Sequence, residues 1–148
     1  MHFRLMTDAD IDQVIRCERQ AYSHPWSEGV FADCIAGPSE CWVVIDADNL
    51  IGYLVTTSAA NEGHILNICI GVEWQGEGRG HSLLSFALSR FLELQVRTVF
   101  LEVRESNRRA ITLYKYYGFE VIGRRKKYYP DQEDAMVMSK HLVMDVCV

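Results

Sequence analysis

Two stretches of the chain carry residues whose types and spacing could do chemistry. The first is Gln75-Gly76-Glu77-Gly78-Arg79-Gly80. Three glycines in five residues leave backbone N–H groups uncovered by side chains. After them Leu83, Leu84, Ala87, Leu88, Phe91 and Leu92 recur at helical spacing, so a helix follows directly. Bare N–H groups at a helix start, backed by the positive end of the helix dipole, suit a phosphate. From the loop alone, an anion-binding turn and a glycine-rich chain reversal stand as equal readings. The second stretch ends at Glu102. In Thr98-Val99-Phe100-Leu101-Glu102-Val103 the residues Val99, Leu101 and Val103 point one way, and Thr98, Phe100 and Glu102 the other. A lone carboxylate in such a strand costs stability unless a cation meets it. Glu102 is therefore half of a strand-end salt bridge, with Arg104 nearest in sequence, or a carboxylate kept for proton transfer.

The glycine pattern excludes two familiar phosphate loops. A P-loop ends in Gly-Lys-Ser/Thr, whereas Gly80 is followed by His81-Ser82. The dinucleotide fingerprint spaces its glycines G-x-G-x-x-G and needs an acid about 20 residues on. Here the spacing is G-x-G-x-G, and an apolar helix and a strand follow. The histidines at 2, 24, 64, 81 and 141 show no ligand spacing, so no metal site is expected. The five cysteines (17, 34, 41, 69 and 147) form no C-x-x-C pair and read as buried free thiols. A net charge of −5 argues against a nucleic-acid backbone as partner and is compatible with a basic substrate.

The elements that must position these residues follow from periodicity and punctuation. Phe3-Arg4-Leu5-Met6 reads as a short first strand, and Thr7 with Asp10 as a capping box that opens a helix along Ile11, Val14, Ile15, Ala21 and Tyr22. Pro25 breaks it, and Ser27 caps a second helix that Gly37-Pro38 ends. Trp26, at the kink, either lines a substrate groove or plugs the two helices together. Strands over 41–46 and 50–57 pair around Asp46-Ala47-Asp48-Asn49, and a third, 65–70, feeds the glycine turn. Strand 65–70, helix 78–93 and strand 97–103 form a parallel crossover. Ser106-Asn107 caps a helix carrying Ala110, Leu113, Tyr114 and Tyr117, stopped by Gly118, and strands near 119–123 and 135–138 close the sheet. The expected fold is α/β in the mixed α+β sense. It has a mostly antiparallel central sheet, a parallel β-α-β core and helices on both faces, in one domain over 1–148. Hydrophobic content of 49% and charged content of 24% are ordinary for a soluble protein. No apolar run approaches the ~18 residues of a membrane span. The first residues lack a signal-peptide core, so the expected compartment is the cytoplasm, with no membrane partner.

Glu102-Val103-Arg104-Glu105-Ser106-Asn107-Arg108-Arg109-Ala110-Ile111-Thr112-Leu113-Tyr114 through Gly118-Phe119 resembles the E-V-R-x-S-N-x-x-A-I-x-L-Y-x-x-x-G-F signature of the GNAT acetyltransferase superfamily. Gln75, Gly78 and Gly80 resemble its Q-x-x-G-x-G pyrophosphate loop, in the family's order and distance. The resemblance implies acetyl-CoA as co-substrate. It also implies Tyr114 as general acid near the coenzyme sulfur, and Asn107 as a coenzyme contact. The backbone of Ile68, Cys69 and Ile70 would meet the pantetheine arm, and that of Gly76, Glu77, Gly78, Arg79, Gly80 and His81 the pyrophosphate. His-Pro-Trp-Ser-Glu at 24–28, Leu-Asn-Ile at 66–68, Tyr128-Tyr129-Pro130 and Glu133-Asp134-Ala135 look like the bacterial branch that acetylates the N-terminal alanine of ribosomal proteins. Trp26, Tyr128 and Tyr129 would then face the first residues of a protein substrate. Gly71, Val72 and His81 depart from the branch's usual acid, proline and Arg or Lys.

The implied base is Glu102. A free glutamate titrates at ~4.3 against ~8 for an α-amine, an unfavourable transfer of roughly 5 kcal/mol. The expectation is a buried carboxyl or a water relay. A phenol at ~10 is reasonably matched to a thiolate at ~8.5. The basic run 124–127 reads as a solvated strand edge, with the coenzyme 3′-phosphate a lesser reading. Two alternatives accompany this assignment. One is another amine acceptor on the same fold, a small molecule or an internal lysine. The other is an acetyl-CoA-sensing module without catalysis.

Overall fold

The computed structural model describes residues 1–142; Cys147 lies outside them. Its strands are β1 (His2–Leu5), β2 (Glu40–Asp46), β3 (Asn49–Ala59), β4 (Glu62–Ile70), β5 (Thr98–Arg104), β6 (Glu120–Arg125) and β7 (Ala135–His141). The helices are α1 (Ile11–Ala21), α2 (Glu28–Ala36), α3 (Arg79–Glu93) and α4 (Arg108–Tyr116). Hydrogen-bonded strand order is β1-β2-β3-β4-β5-β7-β6. The described β4–β5 pairing is parallel and the others antiparallel, as the alternation of strand, helix and strand in the middle of the chain requires.

The chain forms two compact units, residues 1–57 with 66–87, and residues 58–65 with those from 88 onward. In the first, Val14, Ile15 and Cys17 of α1 and Phe31 of α2 join Cys41, Val43, Tyr53, Val55 and Cys69 in one buried cluster. Its first turn is tied down before α1 begins: the Asp10 carboxylate accepts the Thr7 amide at 2.8 Å and both Arg4 guanidinium nitrogens at 2.8 Å. Ser27 Oγ accepts the Val30 amide at 3.3 Å and caps α2. Both capping expectations hold, although a short 3-10 turn over Asp8–Asp10 precedes α1. The β2–β3 hairpin turns through Ala47 and Asp48, both with positive φ, a two-residue loop whose twist matches its strands. Gly52 lets β3 lie close to β4, since a Cβ there would sit 2.4 Å from the Cys69 carbonyl oxygen.

In the second unit, Val99, Leu101 and Val103 are buried and the alternate residues of β5 are half-buried, as the period-2 reading required. Gly63 gives the Phe91 ring room, for a Cβ there would lie 2.5 Å from it. β7 returns between β5 and β6, with Glu102 opposite Val137. The expected hairpin is present, and its later strand takes the inner position.

Candidate active site

The glycine turn has the backbone that its composition demands. Gly76 and Gly78 sit at φ +91° and +79°, a region costly for residues with a Cβ. The α3 helix begins at Arg79, and its first-turn amides have no partner inside the helix. Four side-chain contacts hold the turn. Gln75 Nε2 donates to the Ile70 carbonyl at 2.8 Å, Arg79 Nη1 to the Trp74 carbonyl at 3.1 Å, and Arg79 also pairs with Asp46 and Glu77. The Arg79 guanidinium is thus occupied by the turn and its neighbour Asp46. On β4 the Ile68 carbonyl accepts the Tyr22 hydroxyl at 2.9 Å.

The same unit holds a buried carboxylate that the sequence reading passed over. Glu18, 1% exposed, accepts the Tyr53 hydroxyl at 2.5 Å, the Asn67 amide at 3.0 Å and the Trp26 backbone N–H at 2.8 Å. Burial, with Cys69 and Glu18 adding to it, pushes the Tyr53 phenol far up. Trp26 stacks obliquely on Phe31, ring centres 5.2 Å apart. It also packs against the buried cluster to which α1 and α2 contribute. The four described cysteines are free. Burial pushes Cys69 up to about 12 and Cys41 up to about 11, which leaves both as protonated thiols.

In the second unit Glu102 is not paired with Arg104. Arg104 Nη1 instead meets Asp131 and Glu133 at 2.9 Å each, and its guanidinium lies 4.1 Å from the centre of the Tyr129 ring. Burial opposes the charge on Arg104, but the bonds to Glu133 and Asp131 outweigh it and raise its pKa. The partner of Glu102 is His64, with Nε2 2.5 Å from Oε2. The register explains this meeting. His64 lies opposite Phe100 across the parallel ladder, and Glu102 is two residues on, a diagonal neighbour on the same face. Sequence reasoning missed His64 because strand 65–70 was begun three residues too late. Period-2 counting from Glu62 would have found it. Arg125 Nε lies 3.7 Å from the other Glu102 oxygen, and Arg124 pairs with Glu105 at 2.8 Å. The solvated-edge reading of 124–127 holds, since β6 is the last strand of the sheet and all four residues are exposed, with these ion pairs added at the two arginines.

Tyr114 is buried on α4, its ring edge-on to Phe119 at 5.7 Å. Asn107 Oδ1 caps α4 by accepting the Ala110 amide at 3.2 Å. Tyr129 is half-buried and Tyr128 is 47% exposed. Their loop is pinned by Arg104 and by the Ser106 amide, which donates to Glu133 at 2.8 Å. Burial pushes the Tyr129 phenol up to about 12. Among the described residues no group of three His, Cys, Asp or Glu side chains is placed to hold a metal, and no helix is long and apolar enough to cross a membrane.

Comparison with known proteins identifies the lineage. The model of the acetyltransferase (GNAT) family matches residues 10–119. The chain belongs to the GNAT family. It is thereby an acetyltransferase. Among curated GNAT relatives it is 30% identical over 138 residues to the ribosomal protein bS18-alanine N-acetyltransferase of Escherichia coli K12, covering 91% of this chain and 93% of that one. The enzyme of the same name from Haemophilus influenzae is 34% identical, with 90% and 93% covered. The crystal structure of the E. coli enzyme superposes with a TM-score of 0.89 at 29% identity, covering 97% and 94%. That of Ard1 from Thermoplasma volcanium gives 0.87 at 25%, covering 97% and 98%.

Proposed function

We propose that this acetyltransferase moves acetyl directly from acetyl-CoA to the N-terminal α-amine of a cytoplasmic protein whose first residue is alanine. A ribosomal protein of the bS18 kind fits best. The observation that carries the reading is Glu102. It sits at the end of a central strand with an imidazole on one oxygen, while the cation nearest in sequence is committed elsewhere. Its likeness to the bS18-alanine enzymes over nine-tenths of the chain supports the acceptor.

Each residue then has a role. The amides at Gly76–His81 take the coenzyme pyrophosphate, and the backbone of Ile68, Cys69 and Ile70 takes its pantetheine arm. Asn107, with Oδ1 spent on its cap, has its side-chain NH₂ to offer the coenzyme. Glu102 accepts the proton that the ammonium must lose before nitrogen can attack. Tyr114 gives its proton to the departing thiolate. Trp26, Tyr128 and Tyr129 border the first residues of the peptide. An α-amine at ~8 is neutral about 250 times more often near pH 7 than a lysine side chain at ~10.4, which favours the terminus.

The test is a peptide beginning with Ala and carrying an internal Lys, incubated with acetyl-CoA and mapped by tandem mass spectrometry. Acetyl on the first residue, with one thiol released per acetyl, is expected. Transfer to Lys, or to a polyamine in preference to the peptide, would replace the acceptor. Coenzyme binding with no thiol released under any amine would make the chain a sensor.

A further inference from the structure

We propose that Arg104 is a positioning residue for the peptide: it holds the Tyr128–Tyr129 loop in the shape that receives the substrate's first residues, and so sets peptide affinity rather than turnover. The inference rests on the reading that Tyr128 and Tyr129 border the peptide, and adds what keeps them in place. Arg104 ends β5 two residues after Glu102, so both side chains leave the same face of the strand. Its side chain is 18% exposed. Nη1 donates to the two Asp131 oxygens at 3.0 and 2.9 Å and to Glu133 Oε1 at 2.9 Å. The same guanidinium lies over Tyr129, 4.1 Å from the ring centre. One side chain thus grips the loop at 129, 131 and 133. The Tyr129 ring meets that of Tyr128 nearly edge-on, centres 5.1 Å apart. The Tyr128 ring stands 5.4 Å from the Arg125 guanidinium, whose Nε is 3.7 Å from Glu102 Oε1. These contacts form a circuit that leaves β5 at Arg104 and returns to it at Glu102, which ties the loop's shape to the strand that carries the proposed base.

The loop needs such a grip. Between β6 and β7 the chain turns through Lys127 at φ +51° and Gln132 at φ +72°, a conformation unfavourable for residues with a Cβ that persists only where the surroundings enforce it. Several of its hydrogen bonds are internal: the Gln132 amide donates to the Tyr129 carbonyl at 2.9 Å, the Tyr129 amide to the Glu133 carbonyl at 3.2 Å, and the Lys127 amide to Asp134 Oδ1 at 2.9 Å. Such bonds shape the loop without fixing where it lies against β5. The Glu105 amide, on the Asp134 carbonyl at 3.2 Å, and the Ser106 amide, on Glu133 Oε2 at 2.8 Å, anchor its far stem. Arg104 is the tie that reaches Tyr129 itself. Apparent affinity falls by the fraction of time a site spends in its binding-competent shape. A loop held in that shape about a tenth of the time therefore binds peptide about 10-fold more weakly, or about 1.4 kcal/mol. In the proposed function proton transfer belongs to Glu102 and Tyr114, and the coenzyme lies along 68–70, 76–81 and Asn107. Turnover and coenzyme affinity consequently fall outside the effect.

The experiment measures kcat, KM for an Ala-starting peptide, KM for acetyl-CoA and Tm for wild type, Arg104→Met, Arg104→Lys, Tyr129→Leu and the two double variants. Met keeps an unbranched stem with neither charge nor planar head. Lys keeps the charge but lacks the planar head that stacks on an aromatic ring. Expected for R104M are a peptide KM raised about 10-fold, an acetyl-CoA KM within about 2-fold of wild type and kcat within a few-fold, with R104K between the two. Independent sites multiply to within about 2-fold. Because Arg104 acts through Tyr129, each double variant should raise the peptide KM by clearly less than the product of its single effects. An unmoved peptide KM, or doubles that reach the full product, would overturn the role. So would a parallel loss of Tm, kcat and both affinities, the mark of a strut for the fold alone. Where R104M falls too far in Tm to assay, R104K and its double with Y129L decide by the same criteria. The two readings fail differently. A wild type that acetylates no Ala-starting terminus removes the peptide reading and this role with it, whereas an active wild type beside R104M and R104K of normal peptide KM removes the role alone.

Discussion

The molecule has two glutamates in opposite surroundings. Glu18 is fully buried with three donors on its two oxygens, among them the Tyr53 phenol and the Trp26 amide. Glu102 keeps a sliver of exposure, one imidazole at hydrogen-bond distance and a guanidinium at 3.7 Å. A carboxylate saturated by neutral donors has nothing left to do but hold them in place. A carboxylate whose close partner can itself take and give a proton is suited to moving one. The same side chain therefore serves as scaffold on α1 and, in the function proposed above, as proton acceptor on β5.

The contrast breaks first if Tyr114 and Tyr53 exchange behaviour. Tyr114→Phe should lower kcat about 100-fold, the usual scale for losing a general acid, whereas Tyr53→Phe should leave kcat within a few-fold. Next in size is Glu18→Ala, which strands the Tyr53 hydroxyl, the Asn67 amide and the Trp26 N–H. An unsatisfied buried polar group costs about 1–3 kcal/mol. A loss of about 3 kcal/mol, read as a drop of roughly 10 °C in Tm by calorimetry, is the expected outcome. Gly78→Ala meets open space but keeps a φ of +79°. It should cost about 1 kcal/mol and raise the KM for acetyl-CoA more than it lowers kcat.

The smallest effect concerns acid. Hydrogen bonds from Arg4, opposed by partial burial, hold the Asp10 carboxyl below its ordinary value. A carboxyl depressed in the folded state stabilises above the unfolded value and loses that contribution as pH falls through the folded one. Urea unfolding of Asp10→Asn should thus show a flatter loss of stability below about pH 4 than wild type.

Much of this was legible in residue order. Glycines at 76 and 78 demanded a turn that only positive φ could make, and Thr7, Ser27 and Asn107 announced three helix starts through side-chain oxygens. Alternation along 98–104 put Glu102 and its apolar neighbours on opposite faces. What stayed hidden depended on pairing between distant segments. Arg104 sat two residues from Glu102 and looked like its partner, but the loop at 131–133 supplies two carboxylates that compete successfully for it. His64 lies 38 positions from Glu102, and only the parallel register brings them together. Glu18 lay on the buried stripe of an amphipathic helix, where a charge is noticed only once Tyr53 and Asn67 are seen to reach it.

The most direct measurement pairs Glu102→Gln with Glu18→Gln and reads kcat and Tm for both. If Glu102 accepts the substrate's proton, E102Q loses about 100-fold or more in kcat at an essentially unchanged Tm, while E18Q loses Tm and keeps kcat within a few-fold. An E102Q enzyme that turns over at the wild-type rate would contradict the mechanism at its root.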